Sequence, residues 1–388
     1  MEVLTIELSN EDIQKITQTA NIDEISFEEI REFFLEEETI AKFKPDGVCQ
    51  IDPRSGERIL FNTSRARRPH DNDVVEHKLP EENRRCVICE GKTTGVVDVA
   101  ELSEGFTFIN KNLFPILYPF DTTHFGSKPA FDDWQTLPKD APAHGYHFLQ
   151  WTSSQHDKDW RNMPLEDRMV VMRRLGALEE FLLSKSGDYM LTNLKFGDKH
   201  EYSGFVGIIK NHGRLVGGSL EHSHQQISLS NIMPQSFYNN WRFSQDRGLF
   251  FSQFMLEENP AELTIKDYGE AVLLTPYFMR RPFDMMLIVK DTEKKYIHQL
   301  DESEVRAVSE GWHDAIRAIH KIMPQIGREV AYNVVTHNGP GAGLYFEFKP
   351  YTQETGGFEH LGLFVCQANP KNTVEVIQDT LATPTEVS

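Results

Sequence analysis

The chain has 388 residues, 39% hydrophobic and 26% charged, which is enough for a buried core and, by length, roughly two to three domains. Its 59 acidic side chains outnumber 40 basic ones, for a formal charge of −19; so negative a chain repels phosphate backbones and anionic headgroups, which excludes a general nucleic-acid or membrane binder and leaves only a local basic pocket open. Four cysteines are too few for a disulfide framework, and with neither a leader nor a run of about 18 apolar residues the expectation is a cytosolic protein, not exported and not membrane-spanning.

Residues 1–44 are acidic and helix-prone: Glu28, Glu29, Glu32 and Glu36 to Glu38 surround the apolar set Ile22, Ile25, Ile30, Phe33 and Phe34. This predicts a solvated helical extension packed on the body. From Cys49 a turn and a short strand lead to the basic cluster Arg65, Arg67 and Arg68, out of character in so acidic a chain. Cys86 and Cys89 have the spacing of a zinc knuckle, which needs two further ligands.

The remainder contains one pattern used twice. An aromatic strand, Tyr146 to Trp151, precedes a helix from about Leu165 to Leu183 with Met169, Met172, Leu175, Leu178 and Leu182 at helical spacing. A strand at Tyr189 to Leu194, a glycine loop (Gly213, Gly217, Gly218) and a strand from Leu220 to Leu229 follow. The second copy has a strand at Phe283 to Val289 and a helix from about Glu302 to Ile322 carrying Val305, Val308, Trp312, Ile316 and Ile319 on one face. A strand at Ala331 to Thr336, the loop Gly339 to Gly343 and a strand at Tyr345 to Phe348 complete it. The recurrence suggests duplication, with domains 45–235 and 236–388 after the extension. Because strands do not alternate simply with helices, the fold class is α+β.

The stretch Asn211 to Gln226 carries the chemistry. On a strand, His222, His224 and Gln226 project the same way, and the glycines before them let backbone N–H groups approach an anion. An imidazole is mostly neutral at neutral pH and can attack phosphorus, while a glutamine holds a phosphoryl oxygen without offering water an acid or base. His298, His313 and His320 read as surface or packing residues of the second helix, and Trp151, Trp160 and Phe181 as core.

Several motifs between about Cys49 and Pro370 together resemble the galactose-1-phosphate uridylyltransferase family, within the histidine-triad superfamily. They are Asp52 to Glu57 with Ser64 to Pro69, the Cys86/Cys89 knuckle, Phe108 to Pro115, Phe148 to His156, and Asn211 to Gln226. The resemblance implies two tandem histidine-triad-like repeats on a mainly antiparallel half-barrel sheet with flanking helices. It implies one structural zinc on Cys86, Cys89, His156 and His222, with His224 as nucleophile, Gln226 as its hydrogen-bonding partner and Ser219 on phosphate. Arg65 and Arg68 would lie near the nucleotide phosphates and Asn112 and Phe114 at the nucleoside, with Asn211, Gly217 and Gly218 in the substrate loop. The implied partners are a nucleotide sugar and a sugar 1-phosphate or phosphate, with a homodimer by analogy.

The chain departs from that family where Glu221 and Ser223 replace prolines, where Leu113 replaces an aspartate, and at Leu361 to Cys366 in a segment that helps recognise the sugar phosphate. Gly343 and Tyr345 replace a histidine pair that many members use for another metal, with Glu347 retained nearby, so a second metal site is expected to be absent. The implied reaction is ping-pong nucleotidyl transfer, with the Ser223 carbonyl as the expected partner of the other His224 ring nitrogen. Alternatives are a nucleotide-sugar or dinucleotide phosphorylase using inorganic phosphate, a nucleotide hydrolase, disfavoured by Gln226, and a catalytically silent nucleotide-binding module.

Overall fold

A computed structural model describes residues 8–51, 58–60, 63–64, 86–119, 141–187, 190, 194–196, 200–202 and 204–383. Arg65 and Arg68 lie outside them. The strands in chain order are β1 (Val48–Ile51), β2 (Arg58–Leu60), β3 (Val96–Glu101), β4 (Phe106–Lys111), β5 (Ala141–Pro142), β6 (Gly145–Trp151), β7 (Leu194–Phe196), β8 (His200–Tyr202), β9 (Phe205–His212), β10 (His224–Ser230), β11 (Thr264–Asp267), β12 (Ala271–Leu274), β13 (Met285–Val289), β14 (Tyr332–His337) and β15 (Tyr345–Pro350). Ten of them form an open antiparallel sheet in the order β11-β12-β13-β15-β14-β9-β10-β6-β4-β3, so the class is α+β as the sequence indicates. The order β9-β10-β6-β4-β3 reappears as β14-β15-β13-β12-β11. In each set a long helix, Leu165–Lys185 or Glu302–Gln325, follows the third strand, and a glycine loop precedes the fifth.

The chain folds as two compact units whose segments interleave: Met1–Asp157, Arg174–Ile208 and His222–Asn239 make the first, and Lys158–Arg173, Ile209–Glu221 and Asn240–Ser388 the second. In the first, β6 is buried along its whole length because both of its faces are covered. Tyr146 and Phe148 on one face meet the extension, whose Phe27 and Phe34 rings lie 4.8 and 5.3 Å from them. His147, Leu149 and Trp151 project from the other face. The helix Phe27–Leu35 that supplies those rings starts on a capping box between Ser26 and Glu29. Lys111 holds the helix end from β4, donating to the Phe33 carbonyl at 2.9 Å and pairing with Glu37 at 2.8 Å.

In the second unit the helix Glu302–Gln325 is capped by Asp301 and Glu304 and buries the apolar face expected of it, with Trp312 5.5 Å from Phe346 and 5.6 Å from Phe348. The expected strand Tyr189 to Leu194 lies mostly outside the described residues; among those described, the sheet strand after the first helix is β9, and 194–196 pair with 200–202 in a separate hairpin. One expectation needs correction. The last strand of the first set begins at His224 rather than Leu220. Among the described residues no helix is long and apolar enough to cross a membrane.

Replacing Phe34 by Ala removes a fully buried ring from the extension's seat on β6. It should cost about 3–5 kcal/mol of stability in urea unfolding while leaving bound metal unchanged.

Candidate active site and metal centre

The knuckle is a tight turn in which the Lys92 and Glu90 N–H groups bond back to the Val87 and Cys86 carbonyls at 2.9 and 3.0 Å. It presents Cys86 and Cys89 to His156 and His222, and the ligand atoms of all four lie within 4.8 Å of one another. His222 Nδ1 is 3.6 Å from Cys86 Sγ and 3.5 Å from Cys89 Sγ, and His156 Nδ1 is 3.7 Å from Cys89 Sγ. Bonds of about 2.3 Å to sulfur and 2.0–2.1 Å to nitrogen, set at the tetrahedral angle, separate S and N by about 3.5 Å. The donor set and its spacing therefore fit a zinc ion. A hydrogen bond with Cys89, aided by His156 and His222, holds the Cys86 thiol far below its ordinary range against the opposing effect of burial, so the sulfur is available as thiolate.

His222 does more than face the cysteines. Its Nε2 lies 2.8 Å from the Ser153 carbonyl, and because a carbonyl only accepts, Nε2 carries the proton and Nδ1 turns its lone pair toward the sulfurs. Its own carbonyl oxygen is 2.9 Å from His224 Nδ1. By the same argument His224 donates from Nδ1 and keeps its lone pair on Nε2. This corrects the expected partner: the Ser223 carbonyl is committed to the Thr152 N–H at 3.0 Å, so the preceding carbonyl serves His224. The arrangement depends on His222 standing in a bend before β10, not on the strand beside His224 and Gln226.

His224 is buried at 4% exposure and is aligned across the sheet with Trp151, whose ring centroid lies 4.9 Å from its own and 5.4 Å from that of His222. Trp151 is thus core, as expected, and also the platform for both imidazoles; its indole N–H is tied to Asn110 Oδ1 at 2.7 Å. Gln226, half-buried, shares the face of His224. On the opposite face Gln225 accepts from Thr152 Oγ1 at 3.0 Å and donates to Gln150 at 3.2 Å. Ser223, where the resemblance leads one to expect proline, places its hydroxyl 3.0 Å from that of Thr152.

The other expected site residues are held by local contacts. Asn112 shapes its own turn: Oδ1 accepts from the Phe114 N–H at 2.8 Å and Nδ2 lies 3.2 Å from His147 Nδ1, while the Phe114 ring packs edge-on to Phe43 at 4.7 Å. Asn211, Gly217, Gly218 and Ser219 belong to the second unit, where Asn333 donates to Asn211 at 2.8 Å and to the Val216 carbonyl at 3.2 Å, and Gly217 takes a φ of 87° that favours glycine. That loop is largely open, whereas Gly339 to Gly343 is buried, and a Cβ on Gly343 would lie 1.8 Å from Ser252 Oγ. Glu347 is engaged by His337 at 2.7 Å and Lys349 at 2.9 Å. The Ser153 carbonyl, the His222 carbonyl and Trp151 were not legible as site groups, because only the bend before β10 brings them to the imidazoles.

No family model matches the chain. ADP-glucose phosphorylase from Arabidopsis thaliana is 23% identical over 199 residues, covering 48% of this chain, so the match spans about half (54%) of that curated relative. A solved uridylyltransferase superposes with a TM-score of 0.63 at 19% identity, over 86% of this chain and 98% of its own. An Arabidopsis thaliana ADP-glucose phosphorylase with bound ADP-glucose gives 0.58 at 16% over 85% and 98%, and a GalT-like protein from the same plant 0.57 at 15% over 76% and 90%. The chain shares its fold with the solved uridylyltransferase, the GalT-like protein and the ADP-glucose phosphorylase.

Cys86→Ala removes a ligand from a centre whose four positions are all filled by protein. The variant should lose one metal equivalent by elemental analysis and several kcal/mol of stability, a fall in thermal midpoint on the order of 10 °C.

Proposed function

We propose that the protein is a nucleotidyltransferase that moves a nucleoside monophosphate from a nucleotide sugar to a phosphate-bearing acceptor through a covalent nucleotidyl-His224. The observation that carries this reading is the 2.9 Å hydrogen bond from His224 Nδ1 to the His222 carbonyl, which fixes the tautomer with a nucleophilic Nε2. The fold shared with a uridylyltransferase and an ADP-glucose phosphorylase supports it.

In the first half-reaction the Nε2 lone pair of His224 attacks the α-phosphorus. The bond from that phosphorus to the bridging oxygen breaks, and its electron pair leaves with the sugar 1-phosphate. The ring then carries a positive charge that the His222 carbonyl, accepting from Nδ1–H, stabilises. In the second half-reaction an acceptor phosphate oxygen attacks the same phosphorus, the P–N bond breaks, and its electrons return to Nε2. Neither half consumes a proton. The Gln226 amide holds a phosphoryl oxygen without activating water. By the resemblance, Ser219, Gly217, Gly218, Asn211, Arg65 and Arg68 serve the phosphates, and Asn112 and Phe114 the nucleoside. Cys86, Cys89, His156 and His222 would hold a zinc ion, which would supply structural rigidity.

The acceptor is a sugar 1-phosphate in the first reading. A second reading, with inorganic phosphate as acceptor, is favoured by the matched curated relative, an ADP-glucose phosphorylase.

Incubation with nucleotide sugars labelled at the α-phosphate should leave acid-labile label on His224. His224→Ala should keep its metal and fold, carry no label and lose exchange by at least about 10³-fold. Discharge of the labelled enzyme by sugar 1-phosphates but not orthophosphate supports the first reading, and the reverse the second. No label with any nucleotide sugar overturns both and leaves a silent binding module, and full exchange in the variant overturns the covalent role of His224.

A further inference from the structure

The second unit contains a group of potential ligands that the reaction above does not use. Asp159 sits just before the helix Leu165–Lys185, His212 ends β9 and His320 lies in the helix Glu302–Gln325. One potential ligand atom from each lies within 4.8 Å of the others, and the two imidazole centroids are 4.9 Å apart. Asp159 is 4% exposed. His320 Nε2 is buried without a hydrogen-bond partner, a state that buried polar nitrogens seldom occupy. Tyr332 closes one side, stacked on His212 at 5.0 Å with its hydroxyl 3.4 Å from Asp159 Oδ2.

We infer that Asp159, His212 and His320 form a second binding site for a divalent transition metal of the zinc class, independent of the Cys86/Cys89/His156/His222 centre. Two imidazole nitrogens and one carboxylate oxygen are a donor set such ions accept, and three protein ligands leave a fourth position for water or an anion. The His320 Nε2, without a partner among the described residues, is the group that a cation satisfies, and the carboxylate, which also accepts from the Trp160 N–H at 2.7 Å, supplies the negative charge. Bound there, the ion ties strand β9 to the helix Glu302–Gln325 and to the segment that starts the other long helix.

Charge sets the affinity. Lys210, 1% exposed, holds its ammonium 3.1 Å from Asp159 Oδ1, and Arg161 also acts on both imidazoles. A divalent ion entering beside them is repelled, so this site binds more weakly than the thiolate centre. Lys210 is thus a built-in competitor for the carboxylate.

The test is metal stoichiometry on the full chain with its thiolate centre already loaded with zinc. Equilibrium dialysis against cobalt(II) should give one further equivalent, with visible cobalt bands and no thiolate charge-transfer absorption. His320→Ala and His320→Gln should each lose that equivalent and keep the first, and Lys210→Met should bind it at least about tenfold more tightly. Uptake of no second equivalent by the wild-type chain overturns the proposal without reference to any variant. So does a second equivalent that persists in both folded His320 variants, or one whose spectrum shows sulfur ligation.

Discussion

The site depends on one residue held in three directions. His222 turns Nδ1 toward two cysteine sulfurs, donates from Nε2 to the Ser153 carbonyl, and offers its own carbonyl to His224 Nδ1. A ring anchored at both nitrogens cannot rotate, and its peptide plane inherits that rigidity. The tautomer of the His224 imidazole therefore follows from the hydrogen bonding of a residue two positions earlier. An ion held by the cysteines and His222 would act on His224 through that backbone carbonyl.

The backbone geometry makes this division of labour possible. Successive carbonyls of an extended chain point to opposite sides, so the Ser223 carbonyl can join the ladder to Thr152 while that of His222 turns to its neighbour's side chain. Had His222 continued the strand, its ring would have projected beside that of His224 and its carbonyl would have been spent on the sheet. The expectation of that continuation led to the Ser223 carbonyl instead, while the four residues that the resemblance implies for zinc do come together. The long helices were legible because their apolar positions recur at 3.6 residues over several turns. Strand β9 was not, since it carries a buried Lys210 whose counter-charge, Asp159, lies in a distant segment. Likewise nothing in the spacing of Asp159, His212 and His320 announces that they meet; that follows only from tertiary structure.

The recurring strand order shows how one architecture carries two glycine loops with different duties. Gly341 and Gly343 are glycine because their surroundings leave no room: a Cβ on either would strike Trp241 or Ser252. Around Gly217 there is space, and the requirement is the backbone angle, with its N–H donated to the Arg214 carbonyl at 3.2 Å. Glu347 in the second set pairs with the Lys349 ammonium and lies 2.7 Å from His337 Nε2.

Much of the chain's negative charge stands apart from His224. Exposed Glu28, Glu29, Glu32, Glu36 and Glu38 belong to the extension, which packs on the face of β6 that carries Tyr146 and Phe148. His224 shares the other face with Trp151. A packed layer is about 10 Å thick, while exposed charges at physiological ionic strength are largely screened beyond about 8 Å. The net charge of −19 therefore governs solubility and long-range encounter, while His224 lies on the face of β6 opposite to the extension that carries those carboxylates. A neutral nucleophile is suited to that setting: it approaches a phosphodiester without adding a negative charge, and acquires a positive one only as the P–N bond forms.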